Sequence, residues 1–241
     1  MKILLTNDDG INYEGIAPVV EWAKKLGEVT VVAPKYEQSG KSHGIELHKA
    51  FEVKKVDRWE GVTAYSVDST PADCVRFAVL GLKEKFDLVI SGINNGLNIG
   101  SDMIYSGTVS AAFEAVALGI PAVAVSSDYG KHAAAEAALD TVLDYFVKNR
   151  LLEINNIYNV NVPENPKGIL ITRQGGPYYS DEFEPRENFM YMPMGKCVYE
   201  EKKTNELDTD AVMHGYISIT PLTLDRTANT AYDRLIGMNK E

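Results

Sequence analysis

The chain of 241 residues carries 34 Asp and Glu against 24 Lys and Arg, a formal net charge of −10. A field of that sign repels phosphate backbones and anionic lipid, which excludes a general nucleic-acid or membrane-surface binder. With 45% hydrophobic residues the chain can fill a substantial core, and no apolar run approaches the roughly 20 residues of a membrane span.

In chain order, short β-branched runs predict strands at residues 2–6, 29–33, 64–67, 87–91, 122–126, 157–162 and 168–172, with helical periodicity in several of the gaps. The first helix, 15–26, gathers Ile16, Val19, Val20, Ala23 and Leu26 on one face. The second, 71–82, opens on Pro71, whose missing N–H costs nothing in a first turn. Residues 108–118 and 133–148 form the other two. Near-continuously apolar strands alternating with helices read as a mostly parallel sheet covered on both faces, so the expected fold class is doubly wound α/β over residues 1–175. After Gly175-Gly176-Pro177 the texture turns to Tyr, Asp, Glu, Pro and Met, followed by a strand at 216–220 and a last helix near 228–236. Residues 176–241 are therefore expected to form a separate C-terminal arm. Cys74 and Cys197 lie apart without CxxC or Cys/His clustering, so both are expected as buried thiols rather than disulfide partners or zinc ligands. Met1-Lys2 runs directly into the first strand, which leaves no room for a signal peptide and makes the cytoplasm the expected location.

Ligands of an open parallel sheet bind outside the carboxyl ends of its strands, and here that edge is unusually polar. The first strand ends in Asn7-Asp8-Asp9-Gly10, the second runs on into Gln38-Ser39-Gly40-Lys41-Ser42-His43, and the fourth ends in Ser91-Gly92-Ile93-Asn94-Asn95. Two like charges about 4 Å apart repel by about 4 kcal/mol at an effective dielectric near 20, so the adjacent carboxylates need a proton or a cation. Taken alone, Asp8 would cap a turn and Asp9 would be solvated. With Ser39 and Asn95 on the matching loops, the four residues make an all-oxygen set suited to a hard cation, magnesium or manganese, rather than to zinc.

Two look-alike motifs fail. In the "SGKS" stretch the glycine that a Walker A loop requires five positions before Gly40 is Lys35, and the glycines of "GINNGLNIG" stand at 92, 96 and 100 rather than in GxGxxG spacing. Ser106-Gly107-Thr108 leads into a small-residue helix, where free N–H groups and hydroxyls meet the positive end of the dipole; this is either an ordinary N-cap or an anion site one loop beyond the proposed cation. The four histidines read as surface or capping residues, with His43 alone near the cluster. Tyr105, Tyr178, Tyr179 and Phe183 are candidates to stack a base or, more simply, to pack.

The stretches "TNDDGINYEGI", "VVAPKYEQSGKSHGIE", "STPADCVRFAV", "DLVISGINNGLNIGSDMIYSGTVSAAFEA" and "GYISITPL" resemble, in order, the blocks of the SurE family of 5'-nucleotidases, also called survival protein E. The resemblance spans nearly the whole chain, with residues 181–208 outside any block. It implies a Rossmann-like core, a carboxyl-terminal arm exchanged between subunits of a homodimer or homotetramer, and a metal-dependent phosphatase acting on nucleoside 5'-monophosphates. Carried over by position, the family's metal ligands fall on Asp8, Asp9, Ser39 and Asn95, one divalent ion per subunit.

The expected chemistry is in-line phosphoryl transfer to water, with Asp8 or Asp9 orienting the nucleophile and Ser106, Gly107 and Thr108 holding phosphate oxygens. Other phosphomonoesters and short polyphosphate are further candidate substrates. One rival makes Asp8 a covalent nucleophile, as in haloacid-dehalogenase-type phosphatases, although the second Asp expected two residues on is Gly10. The other is a non-catalytic metal or nucleotide sensor.

Overall fold

The apolar run after Lys2 forms β1 (Lys2–Thr6), buried from Ile3 onward, in a computed structural model that describes residues 1–239. Next come α1 (Ile16–Ala23), which buries Ile16, Val19, Val20 and Ala23, and β2 (Glu28–Pro34). β3 (Val53–Val56) and β4 (Thr63–Val67) pair antiparallel. β3 has no counterpart among the expected strands, because its VKKV sequence at the sheet edge leaves both lysines exposed and lacks an apolar face. The expected helix 71–82 divides into α2 (Pro71–Arg76), capped by Thr70, and a π-helical turn at Phe77–Gly81.

β5 (Leu88–Asn95) runs four residues beyond Ser91, where the expected strand 87–91 ends. A 3₁₀ turn (Gly100–Tyr105) then leads to α3 (Gly107–Ala117), β6 (Ala122–Ser127), α4 (His132–Lys148), α5 (Leu151–Ile154) and β7 (Ile157–Val162). The remainder comprises β8 (Ile169–Ile171), β9 (Tyr179–Pro185), β10 (Tyr191–Cys197), α6 (Asp208–Met213), β11 (Ile217–Pro221), α7 (Asn229–Leu235) and a last 3₁₀ turn, Ile236–Asn239.

Nine strands form one sheet in the order β3-β4-β2-β1-β5-β6-β7-β11-β8. It is parallel except where β3 meets β4 and β11 meets β7. Residues of α1 and α4 pack with Ile3, Leu5 and Ile90 in one core cluster, and residues of α2 and α3 pack with Leu4, Val32 and Val89 in the other. Because neighbouring side chains on a strand point to opposite faces, these are the two faces of the sheet, each covered by helices. The strand order reverses at β1, with β2 on one side and β5 on the other. The crevice at the carboxyl ends of β1 and β5 is therefore the topological switch point, where such sheets bind ligands.

The C-terminal part divides differently from the expected arm. β9 and β10 form a separate exposed hairpin, but β11 enters the main sheet between β7 and β8, with Ile217 and Ile219 buried. A lone strand signal at 216–220 does not indicate which sheet it joins, since its pairing partners lie far away in sequence. Cys74 is buried, whereas Cys197, at the end of the projecting hairpin, is exposed rather than buried as expected. Among the described residues no helix is long and apolar enough to cross a membrane.

Candidate active site

Asp8 and Asp9 leave β1 through a turn clamped by one side chain. Asn7 Nδ2 donates to the Gly10 carbonyl at 3.0 Å, and Gly10 N–H donates back to Asn7 Oδ1 at 3.2 Å. Gly10 has φ +98, and a Cβ there would lie 3.3 Å from the Pro34 carbonyl oxygen, so glycine suits the position on both counts. The Gln38 N–H donates to the Asp8 carbonyl at 2.7 Å, which ties the Ser39 loop to the same turn.

Asp8 is only 4% exposed, and its Oδ1 accepts from the Thr108 hydroxyl at 2.5 Å. The start of α3 lies against it so closely that a Cβ on Gly107 would stand 2.9 Å from Asp8 Cβ and 3.0 Å from Oδ2. Half-buried Asp9 accepts from the Asn95 N–H at 3.1 Å. The ends of β1 and β5 and the amino end of α3 thus meet at one point, as the switch-point argument anticipates.

Burial pushes the Asp8 carboxyl above its usual range, with the Thr108 hydrogen bond opposing it. Asp9 is pushed up to about 7, first by burial and then by the charge of Asp8. Glu37, which accepts from the Ser39 hydroxyl at 2.7 Å, adds repulsion to both. None of the ion pairs among the described residues includes Asp8, Asp9 or Glu37. The site is short of positive charge.

The donor set fits a hard cation. Ser39 gives its hydroxyl proton to Glu37 and keeps its lone pairs, while Asn95 Oδ1 accepts one bond, from Gly130 N–H at 2.7 Å. Among the described residues no three His, Cys, Asp or Glu side chains gather around one point, so a softer His/Cys-rich centre lacks ligands.

The phosphate candidates are already partly engaged. Ser106 caps α3, its hydroxyl oxygen accepting from Val109 N–H at 3.1 Å. Thr108 donates to Asp8 and lies 3.3 Å from Asn94 Oδ1. The loop between Asn95 and Ser106 is pinned from below: the Asn98 carbonyl accepts from the side-chain amides of Asn159 and Asn161, and Asp208 accepts from Gly100 N–H at 2.9 Å. His43 bonds Glu114 at 2.8 Å, beside an Arg76 contact at 3.0 Å, and is a satisfied side chain rather than part of the oxygen cluster.

Sequence reasoning passed over Glu37, Asn94, Tyr13 and Tyr129. Tyr13 stands on the loop after β1, one of the two strands whose ends line the crevice, and Tyr129 on the loop after β6, whose Gly130 N–H reaches Asn95. Burial, then the neighbouring Asp9, pushes the Tyr13 phenol up to about 12. Of the aromatic candidates, Tyr178 packs on Tyr179 and Tyr199, and the N–H groups of Tyr178 and Tyr179 both donate to Asp102.

These features define a doubly wound α/β protein with an acidic, oxygen-lined crevice at its switch point. A family model described as Survival protein SurE matches residues 3–181, and the chain belongs to that family. It is 43% identical over 244 residues to the 5'-nucleotidase SurE of Thermoanaerobacter sp. (strain X514), covering 94% of each chain. It is 39% identical over 251 residues to the 5'-nucleotidase SurE of Legionella pneumophila, covering 100% of this chain and 98% of that one. Its fold superposes on the crystal structure of the SurE protein from Aquifex aeolicus with a TM-score of 0.79, at 34% identity and full coverage of both chains.

Proposed function

We propose that the chain is a 5'-nucleotidase, a phosphoric monoester hydrolase that cleaves nucleoside 5'-monophosphates to nucleoside and phosphate. One divalent ion per subunit, magnesium or manganese, would be held by Asp8, Asp9, Ser39 and Asn95. The observation that carries this reading is the adjacent pair of buried Asp8 and half-buried Asp9, both raised in pKa and unmatched by any ion pair among the described residues, with Asp8 packed against the amino end of α3. Full-length similarity to nucleotidases supports it. When bound, the ion supplies charge neutralisation for a phosphate oxygen.

The chain's own residues do the rest. Ser106, Gly107 and Thr108 hold the remaining phosphate oxygens at the start of α3, Gly107 through its N–H and Ser106 through its hydroxyl, since the Ser106 N–H already donates to the Met103 carbonyl at 3.1 Å and the Thr108 N–H is shared with Asp8. Asp9, half-buried and with one oxygen outside its bond to Asn95, orients the attacking water. Asp8, 4% exposed and bonded to Thr108, is a poor covalent nucleophile, which favours direct attack by water. Other phosphomonoesters and short polyphosphate fit the same phosphate chemistry.

Release of phosphate from AMP by purified protein with magnesium or manganese, abolished by EDTA, is the expected result. No release with either metal would overturn the reading. A phospho-aspartate trapped at Asp8 would favour the covalent route.

A further inference from the structure

The proposed function assigns residues to the phosphate, but none to the group that departs. Two loops meet at the Asp9 side. The Gly130 N–H donates to Asn95 Oδ1 at 2.7 Å, and Asn95 N–H donates to Asp9 at 3.1 Å, which brings the loop carrying Tyr129 to the edge of the oxygen cluster. From the other loop, the Tyr13 ring packs edge-on to His132, centroids 6.1 Å apart at 74°. Gly15 makes room for this ring: a Cβ there would stand 2.4 Å from Tyr13 Cε1. Tyr129 is 81% exposed, so an aromatic face beside the catalytic crevice has most of its surface still to bury.

We propose that Tyr13, Tyr129 and His132 form the subsite for the departing nucleoside, with the base stacked on Tyr129, so that this wall sets the preference for nucleotides over phosphomonoesters that lack a base. This rests on the nucleotidase reading and assigns its specificity. A planar base offers a π-face whatever its identity, so stacking gives affinity without strong discrimination among bases.

A competing location exists. A cavity of about 780 Å³ borders α3 at Ser110 and Phe113, with Lys41, His43, Tyr105 and Arg226 also in its lining. Its lining includes none of Asp8, Asp9 or Asn95, and for that reason the aromatic wall is the better candidate.

The test compares kcat/KM for AMP and for ribose 5-phosphate, which keeps the phosphate and sugar but has no base, in the parent and in Tyr129→Ala, Tyr129→Phe and Tyr105→Ala. Tyr129 is a surface residue outside the metal and phosphate machinery, so the variants fold. Tyr129→Ala should lose roughly 5- to 150-fold on AMP, the range of one lost stacking contact, with ribose 5-phosphate unchanged and Tyr129→Phe close to the parent. Equal losses on both substrates, no loss on AMP, or a selective loss in Tyr105→Ala instead would overturn the assignment. A parent that hydrolyses neither substrate would overturn the nucleotidase reading itself, a result distinct from all of these.

Discussion

Asp9 carries the most exposed consequence of the site's charge imbalance. In the metal-free protein its carboxyl holds a proton up to about 7, against an ordinary value of 3.8, so between those values the folded state binds more protons than the unfolded one. The stability tied to the neutral form is fully present below 3.8 and is lost as pH rises through about 7. Urea midpoints with EDTA should therefore fall from pH 4.5 to 8 more steeply in the parent than in Asp9→Asn; parallel curves would mean that Asp9 ionises at no cost. Gly107 makes a second prediction, because an added Cβ would meet Asp8 at 2.9 Å and Pro71 Cγ at 3.1 Å. Gly107→Ala should cost about 1–3 kcal/mol, as overpacking does, and lower kcat/KM by displacing Asp8; a parental urea midpoint would contradict that packing. That Asp8, Asp9 and Asn95 would meet was legible in the sequence, because the ends of neighbouring strands converge at a switch point. The bond from Thr108 to Asp8 was not, since it joins residues 100 positions apart, nor was Glu37, whose influence depends on how the Ser39 loop folds back.

Among the elements, the alternating strands and helices of the first 162 residues were readable because each buries an apolar face with its own period. Segments without such a face escaped. β3 is a lysine-bearing edge, and β9 and β10 are exposed along their whole length, so no inward alternation marks them. Exposure of that hairpin has its own consequence: Phe183, Phe189, Met190 and Tyr191 are each at least 64% exposed, and exposed apolar side chains clustered on one element mark a contact surface. We expect the hairpin to pack on another subunit in a homodimer or homotetramer. Sedimentation at micromolar concentration should give at least a dimer for the parent and a smaller species for the paired change Phe189→Ser and Tyr191→Ser. A monomeric parent would contradict the arm's role.

At the scale of the whole molecule, the fold and the charge distribution serve one place. Reversal of strand order at β1 opens the crevice between β1 and β5, both sheet faces are sealed by helices, and the polar loops gather at that edge. A protein with a net charge of −10 is not itself attractive to a phosphate, so the local field at the crevice must be reversed by something the chain recruits. On the reading proposed above, Asp8 and Asp9 are adjacent in order to recruit a divalent cation. That claim is tested most directly by the melting temperature of the parent and of Asp9→Asn, each titrated with magnesium and with manganese from an EDTA-treated start. An ion bound only by the folded state raises the melting temperature as its concentration passes the dissociation constant. The parent should show that rise with at least one metal, while Asp9→Asn should start at or above the parental melting temperature in EDTA, show little rise, and lose AMP hydrolysis. A variant that melts lower than the parent in EDTA and rises equally with metal would contradict the claim.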